Sequence, residues 1–171
     1  VSGDLKPHPV TNAIFPMLAA MSKIVDVTVI SHAAVDPDVE RAIKHTNINL
    51  LDLSEFSNDW IRNEVGQQEQ AWIIDLTGET FAGRTGLFYS APTGSVASYL
   101  GFPGTSSDPS IDFLVGDHFL IPDEDKSFYN EKPLRLTRGI FPLVARKGSD
   151  YKNYEFRKLL QIPNRAIAAY S

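Results

Sequence analysis

The chain has 171 residues, 43% of them hydrophobic and 22% charged, with a formal net charge of -5 and no cysteine. That length suits one domain whose core needs neither disulfide nor metal. The acidic balance argues against duplex binding, which depends on Lys and Arg neutralising phosphates. The missing cysteines exclude a disulfide framework, a thiolate metal site and a cysteine nucleophile.

Residues 1–10 carry Gly3, Pro7 and Pro9 and read as an extended lead-in to a single α/β domain over 11–171. From Thr11 to Lys23, Ile14, Leu18 and Met21 recur at helical spacing, and Pro16 is tolerable there only in the first turn. Ile24 to Ile30 is a β-branched run of the kind found in buried strands. Asp36-Pro37-Asp38 marks a helix start, with a capping carboxylate before proline, and the helix runs to about His45. Asn47 to Leu53 is the next strand, which completes the length of one βαβ unit.

Gln70 to Leu76 reads as a buried strand, followed by a glycine-rich connection from Gly78 to Pro92. Thr93 to Leu100 reads as a short helix, with Gly101 as its left-handed terminator. Ile111 to Val115 is a strand, Pro122 to Lys126 an acidic turn, and Ile140 to Ala145 a further strand. A helix from Tyr151 to Leu160 and a strand from Arg165 to Ala169 close the chain. Alternating strands and helices give an α/β class.

Gly78 to Thr85 follows a strand with roughly the spacing of a phosphate loop. The lysine such a loop needs is replaced by Arg84, and Gly86 and Pro92 oppose a long helix after it. The segment therefore reads as a glycine-rich turn. Asp117 and His118 sit beyond a strand, near Asp112 and Asp123-Glu124-Asp125. A histidine with carboxylates could act as a base or take a cation, yet no metal-binding spacing is present, and a solvated acidic turn accounts for the pattern. No G-x-S-x-G elbow marks a serine nucleophile. Ser57 to Asn63 follows the Asn47–Leu53 strand and gathers Asp59, Trp60, Arg62 and Asn63 where open α/β folds often bind ligands. A polar loop around one core Trp is the plainer reading of those residues.

On this segment the chain resembles the Porphyromonas-type peptidylarginine deiminases and agmatine deiminases, the guanidine-modifying pentein family. The elements matched in order are Val27–Ile30, Asn47–Leu53, Asn58 to Asn63, Trp72–Leu76, Val96–Gly101 and Phe113–Asp117. Glu155–Ile162 with Arg165–Ala169 resembles the unit after them. The departures are Asn63 in place of the family's guanidinium-binding carboxylate, Val65-Gly66 for Gly-Pro, and Val115-Gly116-Asp117 for Glu-Gly-Gly. The family's covalent chemistry needs a cysteine nucleophile, which this chain lacks.

The resemblance implies repeated β-α-β modules forming part of a pentein-type α/β propeller; an open α/β sandwich is the alternative. The ligand site expected is Asp59, Trp60, Arg62, Asn63, Asp117 and His118, for a guanidino or cationic ligand, with no catalytic residue, metal or cofactor expected. The function expected is a non-catalytic deiminase-like binding domain. Its rivals are a structural, oligomer-forming α/β module, suggested by 10 Phe, 6 Tyr and 2 Trp, and the N-terminal part of a split deiminase. A partial ring would need self-association or a partner chain to cover its edges. Nucleic acid is not expected as a partner. No apolar run approaches the ~18 residues of a membrane span. A chain opening on Val1 reads as processed or excised, and soluble in either the cytoplasm or a secreted compartment.

Overall fold

The computed structural model describes residues 1–67, 71–80, 83–84, 86–92, 94–106, 108–137 and 139–142. The expected helix 151–160 and strand 165–169 lie outside them, as does the expected strand 140–145 beyond residue 142. Residues 140–142 themselves carry no strand.

The elements are α1 (Pro9–Met21), β1 (Val27–Ser31), α2 (Pro37–Ile43), β2 (Ile48–Asp52), α3 (Asn58–Gly66), β3 (Ile73–Asp75), β4 (Val96–Ser98), β5 (Phe113–Gly116), a short 3-10 turn (Lys126–Phe128) and β6 (Lys132–Arg135). Every pairing is parallel. β1 pairs with β2, and β3, β4, β5 and β6 pair in sequence.

Residues 1–3 join these two sets. On one side the Ser2 N–H donates to Ile30 O at 2.9 Å, and the His32 N–H donates to Ser2 O at 3.2 Å. On the other, the Val1 nitrogen donates to Ile74 O at 2.6 Å and the Leu76 N–H to Val1 O at 2.9 Å. Alternate bonding to residues two apart is the parallel ladder pattern. The lead-in is therefore extended, and its first residues lie inside the sheet, giving the order β2, β1, segment 1–3, β3, β4, β5, β6.

Helices cover both faces, as an all-parallel sheet requires. Val27 and Val29 pack with Phe15, Leu18 and Met21 of α1 and Val39 of α2. Ile30, Ile73 and Val96 face the other way, onto Ile61 and Val65 of α3. Burying a side chain such as Ile61, which is 0% exposed, stabilises by about 2 kcal/mol.

Several expected elements are corrected. Pro16 lies in the interior of α1, because Pro9 already occupies the first turn. The strand expected from Ile24 begins at Val27, since Ile24 and Val25 are exposed in the turn before it. The expected helix Thr93–Leu100 contains strand β4, whose three residues are all buried. A central parallel strand is covered on both faces and loses the alternation that would distinguish it. β6 was not anticipated because Pro133 lies within it; a strand paired on one side tolerates proline, and among the described residues β6 pairs only with β5. The segment read as a loop at Asn58–Asn63 is the start of α3, capped by the Ser57 hydroxyl, which accepts the Trp60 N–H at 3.3 Å.

The propeller reading is overturned. The strands lie side by side in one open parallel array instead of turning as modules about an axis.

Candidate functional site

Between segment 1–3 and β3 the chain's progress across the sheet reverses. It moves outward through β1 and β2, then returns to build β3 to β6 on the other side. Ligands of open α/β sheets bind beyond the carboxyl ends of the strands at such a reversal. Beside that reversal, a cleft of about 440 Å³ opens beyond the carboxyl ends of β3 and β4. Asp75 and Ser98 at the ends of β3 and β4 line it, with Phe88 and Ile111 as apolar walls. The connection after β3 adds Gly78, Glu79, Thr80, Gly83 and Arg84, and the one after β4 adds Phe102, Gly104, Ser106 and Asp108.

Close backbone packing shapes the rim. Asp75 accepts the Thr77 and Gly78 N–H groups, each at 3.0 Å, and so folds the chain sharply after β3. Burial pushes its carboxyl above the ordinary carboxylate range, against those two N–H bonds. Gly78 takes the turn with φ +57. The Thr77 hydroxyl oxygen accepts the Gly3 N–H at 2.8 Å, tying the first strand–helix turn to the end of β3. At the end of β4 the left-handed residue is Leu100, with φ 65, and not Gly101 as the sequence pattern suggested. Gly101 is required for a different reason, because a β-carbon there would meet the Thr77 backbone.

Two polar anchors hold the loops of the cleft. Arg84 donates to Phe56 O and Asn58 Oδ1, both at 3.2 Å, and to Ser54 O at 3.3 Å, bracing the connection between β2 and α3. Glu131, buried beneath the β4–β5 connection, accepts the Thr105 hydroxyl at 2.8 Å and the Ser106 N–H at 2.6 Å. The Ser106 hydroxyl in turn donates to Glu79 at 3.3 Å.

Two histidines stand at the same end of the sheet. His8 caps α1, its Nδ1 accepting the Val10 N–H at 3.3 Å. His32, directly after β1, is 2% exposed, and among the described residues its Nδ1 has no hydrogen-bond partner. Burial, then the Arg84 charge, lowers its pKa to about 4.

The residues singled out from the sequence fall elsewhere. Asp59, Trp60, Arg62 and Asn63 are on α3, and none lines the cleft. Asp59 and Arg62 pair with each other at 2.8 Å, Arg62 Nε donates to Gly86 O at 2.8 Å, and Trp60 stacks on Phe56 with ring centroids 4.3 Å apart. Asp117 is a turn residue beyond β5. It accepts the N–H groups of Phe119, Leu120 and Ile140 at 3.0, 2.8 and 3.0 Å. Those bonds, the one from Leu120 foremost, hold its carboxyl below the usual range. His118 beside it is exposed. Among the described residues, no cluster of three or more His, Asp or Glu is arranged to hold a metal, and no helix is long and apolar enough to cross a membrane.

Sequence reasoning passed over Asp75, Ser98, Glu79, Asp108 and Arg84. The signal was a glycine-rich turn directly after a buried strand; it was tested only against phosphate binding and set aside with that reading.

No family model matches the chain. It is 31% identical over 144 residues to an Arabidopsis thaliana protein named probable UDP-N-acetylglucosamine–peptide N-acetylglucosaminyltransferase SEC. The match covers 82% of this chain and 15% of that protein, so the chain spans a small part of its relative. Among solved structures, the K341M mutant of the Thermobaculum terrenum O-GlcNAc transferase shares the fold, with a TM-score of 0.72 at 24% identity, over 82% of this chain and 27% of that one. These findings overturn the resemblance to guanidine-modifying deiminases, and with it the readings as a deiminase-like binding domain, a split deiminase or a purely structural module. The strand-and-helix order that suggested a deiminase is common to parallel α/β sheets, and the similarity is to O-GlcNAc transferases.

Proposed function

We propose that this chain is one α/β component of an enzyme that transfers N-acetylglucosamine from UDP-N-acetylglucosamine to a peptide hydroxyl. The observation that carries this reading is the 31% identity over 144 residues to a protein of that name. The fold shared with a bacterial O-GlcNAc transferase supports it. Because the match spans 15% of the relative, the complete reaction is assigned to the assembled enzyme and not to this chain alone.

The cleft has suitable chemistry for a hydroxyl-rich substrate. Carboxylates of Asp75, Glu79 and Asp108 accept hydrogen bonds from sugar or peptide donors, and the hydroxyls of Thr80, Ser98 and Ser106 serve either role. Phe88, Phe102 and Ile111 supply the apolar lining usual in small-molecule sites. In the transfer itself, the acceptor oxygen bonds to the anomeric carbon while the bond from that carbon to the diphosphate breaks. The hydroxyl proton passes to a base, and UDP leaves with the electron pair.

The test is a transfer assay on the intact protein, using UDP-N-acetylglucosamine and a pool of Ser/Thr peptides, read by mass spectrometry. One N-acetylhexosamine per modified hydroxyl is expected, with Asp75→Asn lowering kcat/KM about tenfold or more, as for loss of a hydrogen bond to a polar substrate. Hydrolysis or transfer with no preference for this sugar nucleotide over UDP-glucose would overturn the reading.

A further inference from the structure

We propose that His32 is a positioning residue for the cleft, and that it must remain an uncharged imidazole for Arg84 to keep its hold on the connection between β2 and α3. This inference goes beyond the glycosyltransferase reading and stands whichever substrate the cleft accepts.

The placement comes from the sheet. His32 directly follows β1, and its own N–H is bonded to Ser2 O. The neighbouring Ser31 carbonyl accepts the Leu53 N–H at 2.8 Å where β2 ends. The next residue, Ser54, offers its carbonyl to Arg84 Nη2, and Phe56 and Asn58 accept from Nη1. The imidazole and the guanidinium thus belong to one junction, which a few residues of backbone hold together.

The Arg84 guanidinium disfavours a charge on His32 and the Asp4 carboxylate favours one. Asp4 is the weaker of these influences, and Lys6 lies 3.8 Å from it. An imidazolium here would be a buried cation beside a second cation that cannot lose its proton. Such a pair separates at its looser member. His32 is enclosed by the sheet, whereas Arg84 is half-buried on a connecting segment. Withdrawal of the guanidinium leaves the Ser54 and Phe56 carbonyls unpaired and frees the segment on which Phe56 stacks against Trp60. Arg84 also lines the cleft, so the same event removes part of its wall.

The experiment uses the intact protein with histidine labelled with carbon-13 at Cε1, in a Trp72→Phe background so that fluorescence reports Trp60. His32 is assigned by the resonance missing in His32→Gln. We expect His32 to titrate near pH 4 with a Trp60 fluorescence change at the same midpoint. His32→Gln should abolish that change and keep the neutral-pH spectrum. Arg84→Gln should move the His32 titration upward by about one pH unit, the effect of removing a nearby like charge. An unmoved His32 titration in Arg84→Gln, or an acid fluorescence change that persists in His32→Gln, overturns the proposal. Should His32→Gln not fold, the Arg84→Gln titration still decides, because it is read on the native histidine.

Discussion

Gly101 lies so close to Thr77 that a β-carbon on it would stand 2.3 Å from the Thr77 carbonyl carbon and 2.4 Å from its oxygen. Both contacts are to backbone, which cannot swing aside as a side chain would. The neighbouring Gly78 is also confined, though less tightly, since its β-carbon would meet Phe102 Cβ at 2.9 Å while φ is already +57. These two glycines allow the connections after β3 and β4 to touch and form one rim. Gly101→Ala should therefore destabilise the fold by about 3 kcal/mol, at the upper end for an overpacked site. Denaturant unfolding with an unchanged m-value checks it.

Glu131 acts at a distance from the cleft through the loop it holds. It is 4% exposed and binds Thr105 and Ser106, whose loop carries Gly104, Ser106 and Asp108 to the cleft. Charge-assisted bonds of this kind contribute about 2 kcal/mol each. Glu131→Ala should raise KM about tenfold in the transfer assay with a smaller change in kcat, whereas Glu131→Gln, which keeps one acceptor, should lie between it and wild type. Equal KM values for all three would show that the loop needs no such anchor.

The class of the fold was legible because its signals are local. Asp36 before Pro37 capped a helix as its side chain dictates, accepting the Asp38 and Val39 N–H groups, and the β-branched run found β1. What stayed hidden depends on partners far along the chain. Val1-Ser2-Gly3 is too short to show a period, and only its bonds to Ile30, His32, Ile74 and Leu76 reveal a central position in the sheet. The cleft was missed for the same reason. Asp75 and Ser98 come together because β3 and β4 are neighbours, and nothing in 22 intervening residues announces it. The dense polar cluster at Asp59 to Asn63 drew attention instead, yet its polarity is that of the outward face of α3, whose inward face is Ile61 and Val65.

That division of α3 gives a paired prediction. Ile61 is 0% exposed, so Ile61→Ala should destabilise by about 3 kcal/mol through lost burial and the cavity left behind. Asp59, with its side chain 89% exposed, meets Arg62 across one helical turn in solvent. Asp59→Ala should change stability by no more than about 0.5 kcal/mol, as exposed ion pairs do. A thermal-shift comparison of the two variants separates interior from surface on neighbouring residues.

Acid should weaken the fold in part through His32. Its pKa is 6.5 when unfolded and about 4 in the folded protein. Above pH 6.5 the imidazole is neutral in both states and the fold carries no penalty. As the pH falls from 6.5 towards 4, the unfolded chain takes up a proton that the folded chain refuses, so stability declines. The loss approaches about 3 kcal/mol and levels off below pH 4, where both states are protonated. Asp117 and Asp123 are depressed below their ordinary 3.8, Asp123 to about 2 beside Lys126 and Arg135, so their contributions are lost only at lower pH still. Asp75, raised by burial, has the opposite sign, and its uptake of a proton in the folded protein offsets part of the decline. Denaturant unfolding at pH 7, 6 and 5 should show wild type losing more stability than His32→Gln; parallel losses in the two proteins would place the sensitivity on another group.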